Sequence, residues 1–138
     1  MNARDLMTPD PVTATPEASV AEVWDIMREL EIRHVPVVEG GVLVGMLSDR
    51  DLSRLDIGRL LTVEGAEALR LELSTPVVKV MSSDVIAVNP ETELGEIVDL
   101  LIEHRFGALP VVHPDTRELV GIVSYIDVLR GLQDSLER

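Results

Sequence analysis

The sequence predicts an α+β fold in which two β-α-β-β-α repeats pack on each other as a pseudo-two-fold pair. Landmark residues recur 74 positions apart, as Pro16 and Pro90 or Pro36 and Pro110 do, and like units at a fixed spacing form one body. In both halves the apolar period changes from strand to helix to strand in the same order. Each half alone is too short to bury much apolar surface, because small chains bury a smaller fraction of it. The halves are therefore expected to pack on each other.

Composition limits the class of protein. The 138 residues are 46% hydrophobic, which predicts a single module over residues 1–138. No uncharged apolar run reaches about 18 residues and the start lacks a signal-peptide core, so we expect a cytoplasmic protein that enters no membrane. The absence of cysteine excludes disulfides and thiolate metal sites. A net charge of −13 argues against nucleic acid or an anionic membrane as partner, since both attract clustered Lys and Arg.

The first repeat opens with a strand-like piece and a helix. Residues 12–14 predict a short extended segment. From Ser19 the apolar spacing becomes helical, and Ser19 with Glu22 has the pattern of a capping box, so a helix is expected to begin there. The apolar stripe of this helix consists of Val20, Val23, Trp24, Met27 and Leu30.

A hairpin and a second helix complete the repeat. Residues 35–38 and 42–47 are short runs of β-branched and other apolar residues, and Gly40-Gly41 between them is typical of a tight turn. The second run leads into Ser48 and another helix. The second half repeats this order, at residues 86–88, 94–101, 109–112 and 119–123.

The boundaries follow from this duplication. Repeat one is expected at about residues 5–60, a connecting segment at about 61–78, and repeat two at about 79–136. Within the connection, residues 64–73 are acidic and leucine-bearing and predict a short helix.

A Gly-x-x-Ser-x-x-Asp sequence ends the last strand of each repeat, at Ser48 and Asp51 and again at Ser124 and Asp127. A strand that opens directly into a helix leaves N–H groups of the first turn without partners, and these favour an anion. The aspartate can accept hydrogen bonds from both hydroxyls of a cis-diol, one at each oxygen. A phosphate and a cis-diol together describe a ribonucleotide. The same spacing is also that of an ordinary capping box, and capping and binding can coexist.

The two copies of this motif carry a family resemblance. Each follows an apolar-Pro-Val-Val strand, and the lead-ins Asp5-Leu6-Met7-Thr8 and Lys79-Val80-Met81-Ser82 also match. The pattern resembles a tandem pair of cystathionine-β-synthase (CBS) domains, called a Bateman module, of the standalone bacterial or archaeal type, over roughly residues 5–132. The resemblance implies a module that binds an adenosyl nucleotide, such as AMP, ADP, ATP or S-adenosylmethionine, in clefts between the repeats. It also implies signalling to a cytoplasmic partner protein, with serine near the phosphate and aspartate on the ribose.

The resemblance further implies ligand contacts that combine the two repeats. In one cleft the expected residues are Ser124, Asp127, Pro9, Val12, Ile32, Arg33 and His34. In the other they are Ser48, Asp51, Ser83, Ile86, Phe106 and Gly107. Because arginine binds phosphate bidentately, Arg33 and His34 predict that the cleft of Asp127 is the stronger phosphate site. The cleft of Asp51 is expected to be weaker, empty, or selective for a less charged ligand.

The sequence offers no support for catalysis. The three histidines, His34, His104 and His113, lack metal-ligand spacing, and neither a P-loop nor a nucleophile elbow is present. We therefore expect no enzymatic activity, no metal site and no required cofactor, with an adenine nucleotide as a regulatory ligand. The alternative is a structural or protein-interaction domain that binds no nucleotide.

An apolar stripe near the end of the chain bears on assembly. It consists of Leu129, Leu132 and Leu136. Bateman modules commonly pair through helices, so the resemblance implies a homodimer formed by such a stripe. Equally, the stripe could fold back on the core of its own chain.

Overall fold

The computed structural model describes residues 1–52, 67, 70 and 73–137. It divides the chain into two compact units, each of which draws on both halves of the sequence. Unit 1 consists of Met1–Val12, Gly40–Leu43 and Ile86–Arg138, and unit 2 of Thr13–Glu39 and Val44–Val85. Neither unit coincides with one predicted repeat, because the first twelve residues of the chain belong with the second repeat.

Unit 1 contains a three-stranded antiparallel sheet in the order β1-β5-β4. Strand β1 (Thr8–Pro9) pairs with β5 (Leu119–Ser124), which pairs on its other side with β4 (Ala108–Val112). The register sets Leu109 opposite Val123, with a bulge between Val111 and Val112.

Three helices accompany this sheet. They are α1 (Ala3–Leu6), α4 (Leu94–His104) and α5 (Tyr125–Leu136). All three contribute to the core of unit 1 through Ala3, Leu6, Ile97, Leu101 and Val128, which cluster with buried residues of β4 and β5. Burial of such side chains is the main favourable term in folding.

The hairpin of β2 (His34–Glu39) and β3 (Val42–Ser48) belongs to unit 2, except for its turn and the first two residues of β3, which are counted with unit 1. The turn residues Gly40 and Gly41 have φ values of +58° and +83°, which a type I′ turn requires and glycine adopts without strain. The remaining elements are α2 (Val20–Leu30), α3, described as Asp49–Leu52, and a 3₁₀ turn at Val77–Lys79. The buried side chains at its centre include Val23, Val35, Val37, Leu47 and Val77.

The predicted elements are largely confirmed. Helix α2 begins after Ser19, whose Oγ accepts a hydrogen bond from the backbone N–H of Glu22 at 3.1 Å, and it ends at Glu31 in the left-handed region. The extended pieces at residues 12–14 and 86–88 are shorter than expected, since each forms one bridge, from Ala14 to Val37 and from Val88 to Val111.

Two predictions need comment. The expected helix at residues 64–73 falls mostly outside the described residues. Helix α1 and strand β1, by contrast, were not expected from the sequence. Within the described part of the chain, no helix is long and apolar enough to cross a membrane.

Candidate functional site

Each Gly-x-x-Ser-x-x-Asp motif places its serine at the end of a strand and its aspartate in the first turn of the following helix. Ser124 Oγ accepts a hydrogen bond from the N–H of Asp127 at 3.2 Å, and Asp127 Oδ2 accepts from the N–H and the Oγ–H of Ser124 at 2.8 and 3.0 Å. Ser48 and Asp51 form the same three bonds at 2.9 to 3.3 Å. Both pairs are therefore capping boxes, as one interpretation of the sequence expected.

The capping bonds occupy only one oxygen of each carboxylate. Asp51 and Asp127 are half-buried, and Oδ1 of neither accepts a hydrogen bond from any described residue. A carboxylate oxygen has two lone pairs, so Oδ1 can accept from a ligand hydroxyl while Oδ2 holds the side chain in place. The expected arrangement, with one diol hydroxyl at each oxygen, stays a prediction, and among the described residues only Oδ2 is already engaged.

The lead-in of the first repeat lies beside the motif of the second. Thr8 is opposite Ile122 and Pro9 is opposite Gly121, three residues before Ser124. At about 3.3 Å per residue, Pro9 lies about 10 Å along the sheet from Ser124. Unit 1 therefore contains Pro9 and Asp127 on neighbouring elements, whereas Val12 lies further along the chain and is exposed.

The lead-in of the second repeat lies beside the motif of the first in the same way. Ser82 and Met46 exchange two backbone hydrogen bonds of 2.9 Å, and Met46 stands two residues before Ser48. Ser83 follows directly and is exposed. Ile86 instead belongs to unit 1, where its side chain packs against the core.

The segments that precede the hairpins make backbone contacts within their own repeats. The Arg33 carbonyl accepts a hydrogen bond from the N–H of Asp49 at 2.8 Å, and the Gly107 carbonyl accepts one from Tyr125 at 3.1 Å. Residues 32–34 therefore lie beside the motif of their own repeat. The reason is the hairpin, because antiparallel pairing sets the start of its first strand beside the end of its second. Gly107, which follows Phe106, accordingly lies beside the motif of Ser124.

This placement makes the two sites electrostatically different. Residues 33 and 34 and the adjoining residue 50 are Arg, His and Arg, whereas the equivalent residues of the other motif are Gly107, Ala108 and Ile126. Burial lowers the pKa of His34 below 6.5, with Arg33 and Arg50 acting in the same direction and Asp49 and Asp51 opposing. His34 is therefore a neutral imidazole at pH 7, and a nearby anion would raise its pKa.

The packing of two lead-in methionines on the motifs was not predicted from the sequence. Met81 and Met7 lie directly over Gly45 and Gly121, the first residues of the two motifs, and occupy the space where a Cβ would project. Each methionine directly precedes the lead-in residue that pairs with the motif strand through its backbone, namely Thr8 or Ser82. The signal was available, since both methionines and both glycines repeat with the duplication.

A cavity of about 540 Å³ lies in unit 2. It includes Ile32 and Arg33 of the expected contact set but neither Ser48 nor Asp51, and its other lining residues are Trp24, Met27, Arg28, Glu31 and Asp49. Phe106, in unit 1, is exposed and stacks on His104 with ring centroids 5.2 Å apart. Among the side chains that the structure describes, no three His, Asp or Glu residues cluster as metal ligands.

Comparison with known sequences identifies related proteins. The sequence model of the CBS domain matches residues 3–58 and 77–134. The CBS domain-containing protein YhcV of Bacillus subtilis is 35% identical over 127 residues, which cover 92% of this chain and 82% of that protein. Other curated relatives are longer, and the chain spans 44% of one and 23% of another.

Solved structures agree. CBSX2 in complex with AMP has a TM-score of 0.82 and 28% identity, over 99% of this chain and 98% of that chain, and CBSX2 comes from Arabidopsis thaliana. The CBS domain pair of protein MJ0100, in complex with 5′-methylthioadenosine and S-adenosyl-L-methionine, has a TM-score of 0.75 and 25% identity, over 96% and 99%. The expected mixed fold of two repeats is confirmed.

Proposed function

The chain belongs to the CBS domain family, and from that premise we propose that it is a regulatory module that binds an adenosyl nucleotide and signals to a partner protein. The observation that carries the proposal is the duplicated serine–aspartate pair, in which one carboxylate oxygen is fixed and the other is open. The complexes of CBSX2 with AMP and of MJ0100 with two adenosyl compounds support the ligand class. The proposal includes no catalytic step.

The nucleotide is proposed to use the open oxygen of the aspartate for its ribose. Oδ1 of Asp51 or Asp127 accepts from a ribose hydroxyl, and the helix start beside the serine favours a phosphate. Pro9 and Ser83, in the lead-in segments, are proposed to flank the ligand. Phe106 and Gly107 are proposed to contribute to the site of Asp127, which the hydrogen bond from Tyr125 to the Gly107 carbonyl supports.

The two sites are proposed to differ in ligand charge. Arg33, His34 and Arg50 accompany Asp51, so we assign a phosphorylated nucleotide to that site, which reverses the ranking expected from sequence. A charged hydrogen bond contributes roughly 1.5–3 kcal/mol where a neutral one contributes about 1 kcal/mol. The site of Asp127 is proposed to take an adenosyl compound with less negative charge.

Signalling is proposed to depend on a conformational equilibrium of the module that the ligand shifts. A ligand shifts a conformational equilibrium only by the difference between its affinities for the two states. The partner is therefore proposed to bind the occupied and the empty module with different affinities. The sequence does not identify that partner, and we propose only that it is a cytoplasmic protein.

A homodimer is proposed through helix α5. Leu129, Leu132 and Leu136 are 56%, 39% and 86% exposed, so the stripe does not fold back on the core of unit 1. Exposed apolar helix faces of this kind mark interaction surfaces. Sedimentation or light scattering should give twice the mass of the chain, and a Leu129→Asp variant should give the mass of a single chain.

Ligand binding is tested by thermal shift and calorimetry with AMP, ADP, ATP, S-adenosylmethionine, adenosine and NADH. A ligand at 100 times its dissociation constant adds about 2.7 kcal/mol to the free energy of unfolding. Asp51→Asn should weaken AMP binding about 10- to 150-fold, whereas Asp115→Asn, in an exposed turn, should not. Arg33→Gln should weaken AMP but not adenosine. Loss of AMP binding in Asp127→Asn alone would overturn the assignment of the two sites.

A second function is favoured by the capping boxes themselves. Because both serine–aspartate pairs stabilise helix starts, the module is alternatively a structural or protein-interaction domain without a nucleotide. No thermal shift with any of the six compounds would favour that function.

A further inference from the structure

We propose that the cavity of unit 2 binds a small zwitterion with an apolar body, namely a free α-amino acid with a large apolar side chain. The cavity lies between the second half of α2, the turn that follows it, and the first residue of α3. Its volume of about 540 Å³ is within the range of small-molecule sites. The cavity shares Arg33 with the proposed phosphate site but is lined by neither Ser48 nor Asp51, so it can be tested with no nucleotide present.

One side of the cavity is apolar. Trp24 and Ile32 are half-buried and Met27 is buried, so their side chains form a floor rather than a freely solvated surface. An indole ring and a thioether adapt to aliphatic and aromatic groups alike. The floor therefore favours a ligand with a bulky apolar part.

Four charged side chains surround this floor. Arg28 and Glu31 come from the end of α2, Arg33 directly precedes β2, and Asp49 begins α3. Among the residues that the structure describes, none of the four takes part in an ion pair, although two cations and two anions border one small cavity. The lining of the cavity thus offers two cations and two anions to a ligand.

The charge pattern selects the class of ligand. A purely anionic ligand would meet the carboxylates of Glu31 and Asp49, and a purely cationic one would meet two guanidinium groups, so like charges oppose both. A molecule with both charges close together avoids that repulsion. Its carboxylate can pair bidentately with Arg28 or Arg33, and its ammonium can pair with Glu31 or Asp49. The end of α2 adds negative helix-dipole potential for the ammonium.

The experiment uses Trp24, the only tryptophan in the chain, as the reporter. The full chain is titrated with L-phenylalanine, L-leucine and L-methionine while tryptophan emission and calorimetric heat are recorded. At least one of them should saturate both signals. 3-Phenylpropionate and phenethylamine, which each lack one charge of phenylalanine, should bind at least about 10-fold more weakly.

Variants assign the binding to the cavity. Arg28→Gln and Glu31→Gln should each lower the affinity about 10-fold or more, whereas Arg4→Gln and Glu91→Gln, in unit 1, should leave it unchanged. All four positions are exposed, so the fold should tolerate the changes, which circular dichroism checks.

Three outcomes would overturn the proposal. They are no saturation by any of the amino acids up to ~10 mM, equal affinity for an analogue that lacks one charge, or displacement of the amino acid by adenosine. A failure of nucleotide binding would not affect the proposal, since the titration contains no nucleotide. Conversely, saturable binding of AMP without any amino acid response would overturn the zwitterion site and leave the proposed function intact.

Discussion

Replacing Gly45 by alanine should destabilise unit 2 through a single side chain. The added Cβ would overlap Met81 Sδ and would lie 2.9 Å from its Cγ and 3.0 Å from its Cε. Such overpacking costs about 1–3 kcal/mol. The φ of Gly45 is not in the left-handed region, so alanine also gains about 0.4–1 kcal/mol by restricting the unfolded chain. The expected net loss is about 0–2.6 kcal/mol, and each kcal/mol lowers Tm by roughly 3–5 °C.

A double-mutant cycle isolates this contact. Met81→Ala removes the atoms that the new Cβ would meet, so Gly45→Ala should become neutral or stabilising by up to about 1 kcal/mol in that background. The coupling free energy should be about 1–3 kcal/mol. Urea denaturation of the four proteins measures it, provided that their m values agree.

Gly121 provides a matched comparison. Its Cβ would lie 2.5 Å from Met7 Sδ but also 3.0 Å from the backbone oxygen of Thr8, which belongs to the paired strand β1. Met7→Ala therefore relieves only part of the cost of Gly121→Ala. If Gly45→Ala is as destabilising with Met81→Ala as without it, the steric reasoning is wrong.

Three other predictions concern stability. Ser124→Ala removes the cap of α5 and should lower the free energy of unfolding by about 1 kcal/mol in urea, and a change below about 0.3 kcal/mol would contradict the capping role. Because the folded pKa of His34 lies below 6.5, the unfolded chain binds more protons, so stability should fall as the pH drops through 6.5 towards the folded pKa. His34→Gln should make that decline shallower in melts recorded at several pH values. An unchanged dependence of Tm on pH would contradict the role assigned to His34. Glu91→Gln breaks the exposed ion pair with Arg4 and should change stability by less than about 1 kcal/mol, which a melt at two salt concentrations checks.

The parts of the fold that local signals specify were predictable. Ser19 and the apolar stripe after it marked the start of α2, and Gly40-Gly41 marked a turn that needs positive φ at both residues. Helix α1 was not predictable, because four residues are too few to show a helical period. It depends on distant partners, since the N–H groups of Ala3 and Arg4 donate to the carbonyls of Thr92 and Pro90.

The candidate site divides in the same way. The serine–aspartate pairs were evident from their spacing, and the structure shows their local bonds. Their companions were not evident, because the position of residues 32–34 depends on which strands pair and in what register. That information is in the hairpin as a whole and not in the three residues themselves. The contact of Arg33 with the motif of its own repeat was therefore not among the contacts that the resemblance implied.

The mixed composition of the units has a consequence for the origin of the chain. The core of unit 1 contains Ala3 and Leu6 together with Leu109 and Val123, although 103 residues separate Leu6 from Leu109. A gene that encoded one repeat would make a polypeptide unable to complete this core from its own residues. Two such polypeptides would have to swap their amino-terminal arms. On this view, tandem fusion turned an exchange of amino-terminal arms between two molecules into an exchange within one chain. Separating the two repeats again would leave neither of them with a complete core.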